Sequence, residues 1–443
     1  WLACPLHNRR EDVRKLFRLR LKAKNEPLEP PAEYKAVYGN DELFNPARYR
    51  QLEHQLLKRL EAFVAWDHYQ RDTFAADFHL LQSFRARGLD AHRTTRLRRY
   101  RPNETAGPNR LFFEYFHATE QYDLDLAANR GGRVDYLTTE YTLERYLLAM
   151  RLRQACTTLA HQRLHKKGDT YEIPHLEEIL VQAGVKAYAD DPFIHLYYLV
   201  ALLQRAIPGK AEPTFERLIT GLKQEGYRLK QEDQRNLLLL ALNYGLRSAN
   251  TGWDPAIANT FSLYQLGLDL GILHDRGVLS IFTFNNILGL ALRLKKVTWA
   301  TDFLEAYQQD LPLKGGSEVT ALSRARLALA NQEDGAALNH LQQADFKDFI
   351  HHLTARILQL KIYFRQNSYT LLHSHISSTR KLLTRRKGIG YHLQNYRNIF
   401  ALANALLKLP PGDKKAVEQL RKRINTTEPC TEKPWLLSTL EDR

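Results

Sequence analysis

Cysteine is scarce: Cys4, Cys156 and Cys430 are the three in 443 residues. An odd number without paired spacing argues against a disulfide framework or a zinc module and fits a reducing, cytoplasmic setting. Long apolar runs are missing. Stretches such as Leu237 to Leu242 fall far short of the ~20 residues a membrane helix needs, so no membrane contact is expected. Phosphate loops are missing too. Pro208-Gly209-Lys210 and Lys314-Gly315-Gly316-Ser317 lack Walker spacing, and no Gly-x-Ser-x-Gly elbow occurs. No period-two alternation is bounded by hairpin dipeptides. The expectation is a chain that is not an enzyme and carries no cofactor. It opens on Trp1 rather than Met, which leaves a preceding segment open. The sequons at Asn103 and Asn425 matter only in a secreted eukaryotic protein and are read as accidental.

The composition that remains is that of a folded protein, 44% hydrophobic and 26% charged. The length suits two or three domains or one elongated repeat array. Net charge is +15, with +8 in residues 1–110, −4 in the middle and +11 in residues 346–443. Basic ends are compatible with a polyanion contact and equally with a solvated surface, because basic residues spread over several helices need not share a face.

Periodicity is helical almost throughout. A basic amphipathic helix is expected over 9–24, broken by Pro27, Pro30 and Pro31. Asn45-Pro46 reads as an N-cap with proline at the first helical position, opening a helix through Leu52, Leu56, Leu60 and Phe63. An aromatic-rich helix over 109–128 ends at Gly131-Gly132, and a long helix runs from Tyr136 to His165. Leu279 to Phe284 is short enough to pass for a strand, but the pattern after Asn285-Asn286 favours a helix. The expected organisation is a basic helical region over 1–106, a long-helix connector over 107–168 and a helical array over 169–443.

In the C-terminal half the pattern repeats. Leu288-Gly289, Leu292, Ala300, Leu304, Tyr307 and Pro312 are followed 37 positions on by Ala325, Leu329, Ala337, Leu341 and Ala344. A third copy, 34 positions later, has Tyr363 for Leu329 and Leu371-Leu372 for Ala337-Leu338, and an irregular fourth surrounds Leu402 and Ala416. Small residues at a crossing let paired helices approach, and large ones fill the groove against the next pair. On these residues, 279–407 resembles TPR-like solenoids. Phe284-Asn285-Asn286-Ile287, Trp299-Ala300-Thr301-Asp302-Phe303 and Leu360-Lys361-Ile362-Tyr363-Phe364 also resemble a group of large uncharacterised helical proteins of Bacteroidetes bacteria. The resemblance implies an all-α, right-handed superhelical solenoid of antiparallel helix pairs in a cytoplasmic bacterial setting. It implies no activity and transfers no site.

Several constellations invite chemistry. Glu114/His117 and Glu172/His175 have the Glu-x-x-His spacing of di-iron bundles, with Glu140 and Glu144 as further ligands, but Pro174 disfavours the second pair mid-helix. His351, His352, His373 and His375 fall on neighbouring helices. Adjacent helical residues point about 100° apart, so His351 and His352 do not share a metal. Asp123 and Asp125 diverge at i, i+2. Cys156, among apolar residues, reads as core. Arg93, Arg96, Arg98, Arg99 and Arg101 form the densest basic run, and Arg380, Lys381, Arg385, Arg386 and Lys387 form a second before Gly388, with Tyr391 and His392 beyond. Both runs are possible polyanion contacts. The second also suits the negative end of a helix dipole. DNA binding through a helix-turn-helix would need a tight glycine turn between two helices or a wing, and neither is evident. The expectation is a binding scaffold for an unidentified protein or peptide, with nucleic-acid or other polyanion binding as the alternative.

Overall fold

A computed structural model describes residues 1–23, 28–101, 105–128, 134–164, 172–250, 253–385, 390–410 and 413–441. The fold is all-α: 78% of the described residues are helical. Contacts divide it into two compact units, Trp1–Arg151 and Leu152–Arg443. The division falls inside a long helix.

The first unit holds α1 (Glu11–Ala23), α2 (Pro30–Tyr38), α3 (Pro46–Arg71), α4 (Thr73–Ala86), α5 (Asp90–Arg99), α6 (Pro108–Ala128) and the start of α7 (Tyr136–Leu164). Pro30 and Pro31 open α2 at its first positions, where a missing N–H costs nothing. Asn45 caps α3 as expected, its Oδ1 accepting from the backbone N–H of Ala47 and Arg48. Asp72 ends α3 and caps α4, accepting from Phe74 and Ala75. Val13, Leu16, Val37, Leu52 and Leu56 bury together as a small core of α1, α2 and α3.

The second unit continues α7 and adds α8 (Leu176–Ala183), α9 (Lys186–Ala189), α10 (Pro192–Arg205), α11 (Glu212–Glu225), α12 (Gln231–Asn250) and α13 (Pro255–Asp269). A short antiparallel ribbon follows, β1 (His274–Asp275) with β2 (Val278–Leu279), turning at Arg276-Gly277. It is too brief to show as alternation in the sequence. Helices resume with α14 (Ile281–Arg293), α15 (Val297–Tyr307), α16 (Gly316–Ala330), α17 (Asp334–Gln343), α18 (Phe349–Arg365), α19 (Tyr369–Arg385), α20 (Gly390–Leu407), α21 (Lys414–Thr426) and α22 (Lys433–Glu441). The segment after Leu279 is therefore a helix.

From α8 onward each helix packs on its successor, and α10 on α12, α14 on α16 and α16 on α18 as well. Polar bonds tie these alternate helices. The Tyr197 hydroxyl donates to Asp233 at 2.9 Å and Gln204 Nε2 to the Leu240 carbonyl at 3.3 Å. Arg326 Nη1 donates to Asn285 Oδ1 at 3.1 Å. Ala300, Ala325 and Ala337, the small residues of the repeat, are fully buried.

The turns after α14, α16 and α18 are alike. Lys295, Gln332 and Asn367 all take left-handed backbone, with φ of 57°, 64° and 52°. At each turn two backbone N–H groups close onto the preceding helix: Lys296 on Ala291, Glu333 on Ala328 and Ser368 on Tyr363, with a shorter bond nested inside. This is the Schellman arrangement. Gly289, matched to the small-residue position of a TPR, departs from that role, because a Cβ there would meet nothing within 4 Å. Close approach falls earlier, at Gly267, where a Cβ would lie 2.6 Å from Leu238 Cδ2 and 2.8 Å from Leu273 Cγ.

Candidate functional site

The C-terminal parts of α14, α16 and α18 share a cleft of about 580 Å³ with α22. Leu292, Leu329 and Leu358 supply apolar wall from the three helices, and Trp435 closes it from α22. Trp435 is held edge-on to Phe364, ring centroids 5.5 Å apart.

Three cations line this cleft: Arg326, Lys361 and Arg365. Two are committed. Lys361 Nζ lies 2.6 Å from Glu432 and 5.7 Å from the Trp435 ring centre. Arg365 pairs with Asp334, its Nε donating at 3.1 Å. Arg326 differs. Its partner is the neutral amide oxygen of Asn285, and it has no carboxylate within ion-pair distance among the described residues. Burial pushes its guanidinium below the ordinary arginine range, with Glu432 and Tyr396 acting the other way. The nearby helix-end carbonyls are already taken. Ala328 and Leu329 accept from Glu333 and Gln332, and Tyr363 and Phe364 from Ser368 and Asn367. A guanidinium with five donors is thus left in a cleft of mixed apolar and polar lining with one protein acceptor among the described residues.

Sequence reasoning missed Arg326, Asn285 and Trp435. The available signal was one arginine inside the small, apolar run Ala325-Arg326-Leu327-Ala328-Leu329. Its acceptor lies 41 positions back, out of reach of any local pattern.

The basic runs fare unevenly. Arg93 is buried, its Nη2 2.6 Å from Glu120 Oε2 and its Nη1 2.9 Å from Asp90. Arg96 pairs with Asp77. Arg98, Arg99 and Arg101 are exposed, and Arg101 Nη1 donates to the Tyr100 carbonyl at 2.8 Å. Arg380, Lys381 and Arg385 are exposed on the last turns of α19. Arg386 and Lys387, and the side chains of Tyr391 and His392, lie outside the described residues. The helix pair whose second member carries the first run does contain a glycine turn. Gly88, at φ 66°, joins α4 to α5, with Leu89 N–H closing onto the Phe84 carbonyl.

The metal-like spacings are spent elsewhere. Glu114 pairs with Arg145 at 2.9 Å, and His117 Nε2 lies 3.1 Å from the Leu97 carbonyl. His175 begins α8 in left-handed backbone. His351 meets Glu318 at 2.8 Å, while His375 Nε2 meets the Arg356 carbonyl at 2.8 Å. Asp123 pairs with Arg85, and Asp125 accepts from Gln121 at 2.9 Å. Among the described residues no three His, Cys, Asp or Glu side chains converge on a metal position. Cys156 is fully buried and burial pushes its thiol up, away from thiolate chemistry. Among the described residues no helix is long and apolar enough to cross a membrane.

No protein-family model matches this chain, and comparison with curated proteins and with solved structures returns no match either.

Proposed function

We propose that the chain is a non-catalytic scaffold whose second unit is a TPR-like solenoid, and that it grips a protein segment on the face made by α14, α16 and α18. The observation that carries this reading is the cleft on that face, walled by successive helices whose ends are built alike. A helix pair that cannot bury its apolar face alone needs its neighbours, and the row they form offers an extended surface suited to a peptide. Peptides selected from a random display library on the full chain provide the test. The expected result is slowed amide exchange on α14, α16 and α18 when such a peptide binds, abolished by Leu358→Arg. Protection confined to other helices would overturn the reading.

A second reading, nucleic-acid binding, draws on the first unit. The Gly88 turn presents α5, whose exposed Arg98 and Arg99 continue into Arg101. Phosphate contacts release counterions, so affinity for a DNA duplex would be measurable at ~50 mM salt and fall steeply by ~200 mM. Arg98→Gln with Arg99→Gln would flatten that dependence.

A further inference from the structure

We infer that the cleft between α16, α18 and α22 recognises an acidic peptide segment, with Arg326 receiving a side-chain carboxylate. This rests on the reading that the α14, α16 and α18 face is the binding surface. The charge bookkeeping selects the ligand. Glu432 neutralises Lys361 and Asp334 neutralises Arg365, so among the described residues one cation in the cleft, Arg326, is left for a ligand. A nucleic acid calls for a row of unpaired cations tracking successive phosphates. A single available guanidinium among leucines and a tryptophan instead suits one carboxylate flanked by apolar side chains. The planar donor fork matches a carboxylate in two-point contact, and the partial burial of the guanidinium strengthens the bond. Trp435, Leu329 and Leu358 take the flanking side chains, the geometry in which an aromatic and an arginine concentrate binding energy.

The neutral acceptor at Asn285 is the informative detail. An aspartate at that position would complete an internal ion pair and silence the site. Asparagine holds the guanidinium in place without bringing a charge of its own.

The experiment uses the full chain and immobilised 12-residue peptides in which Asp or Glu sits between Leu and Phe. A matched series carries Asn or Gln in place of the acids, and inorganic phosphate and a single-stranded DNA of similar length serve as competitors. The acidic series is expected to bind, and the amide series to bind about tenfold or more weakly. Arg326→Gln should lose the same factor. Asn285→Asp should lose it too while remaining folded, which keeps the inference testable if Arg326→Gln does not fold. Equal binding of both series, abolished by Leu358→Arg, would overturn the carboxylate role and leave the scaffold standing. Binding untouched by Leu358→Arg, or no peptide binding at all, would sink the scaffold reading as well. Displacement of the acidic peptides by DNA, at a concentration where phosphate has no effect, would overturn the inference in favour of nucleic acid.

Discussion

Arg93 on α5 directs both Nε and Nη2 at one oxygen of Glu120 on α6, at 3.0 and 2.6 Å. Glu120 is 1% exposed. An arginine from the densest basic run of the chain is therefore an internal strut. Removing it strands a buried carboxylate with Arg85 as its remaining partner. Arg93→Ala is expected to destabilise the first unit by about 3 kcal/mol. Arg98→Ala, on the exposed side of the same helix, should change stability by less than about 0.5 kcal/mol. Urea unfolding of the full chain reads both.

The shared turn geometry makes a graded prediction. Lys295 and Gln332 adopt left-handed backbone without the side chain that tolerates it best. Lys295→Gly and Gln332→Gly should each raise stability by about 1 kcal/mol. Asn367→Gly should gain less, because asparagine enters that region at lower cost. Equal gains at the three positions, read from denaturation midpoints, would contradict the account.

Glycines at 267 and 289 should respond with opposite signs. Gly267→Ala drives a methyl into Leu238 and Leu273 and should cost about 1–3 kcal/mol. Gly289→Ala meets open space within α14 and should stabilise by about 0.5–1 kcal/mol. Thermal denaturation of the two variants separates them.

His375 predicts a pH effect. Burial, reinforced by neighbouring Arg356, lowers its pKa to about 4 against the backbone bond that raises it. A base weakened by folding binds protons more readily when unfolded, so stability falls as pH drops. The contribution is complete above about pH 6.5 and is lost between there and about pH 4, up to about 3 kcal/mol. His195 and His352 are shifted in the same direction by burial, so they add to the slope. His375→Gln should flatten the stability profile across that window without altering its alkaline side.

The helices were legible because burial on one face imposes its period locally, as with Val13 and Leu16 on α1 or the capping of α3 by Asn45. The paired ends of α14, α16 and α18 were legible as a spacing of Leu and Ala, although Gly289 turned out to lie in open space. Partnership was not legible. Nothing near Arg93 in sequence announces Glu120, 27 positions on, and nothing near Arg326 announces Asn285. Charge runs record where cations are placed along the chain, whereas their availability depends on helices that arrive from elsewhere. The Gly88 turn escaped notice because a lone glycine after Arg85-Ala86-Arg87 resembles an ordinary helix stop until α5 is seen to begin directly beyond it.

The bonds between alternate helices also bear on how the second unit comes into being. Tyr197 waits for Asp233, 36 positions later, Arg326 finds Asn285 41 positions behind it, and Thr354 meets Tyr396 across 42. Arg153, whose partner Glu232 is 79 positions away, is an exception. The other three closures each span about one helix pair, so their entropy of loop formation is spent in small, similar instalments. A ribosome emitting this chain would deliver most helices together with the neighbour they need. Assembly can then advance from one end, with each finished pair acting as the template on which the next one condenses.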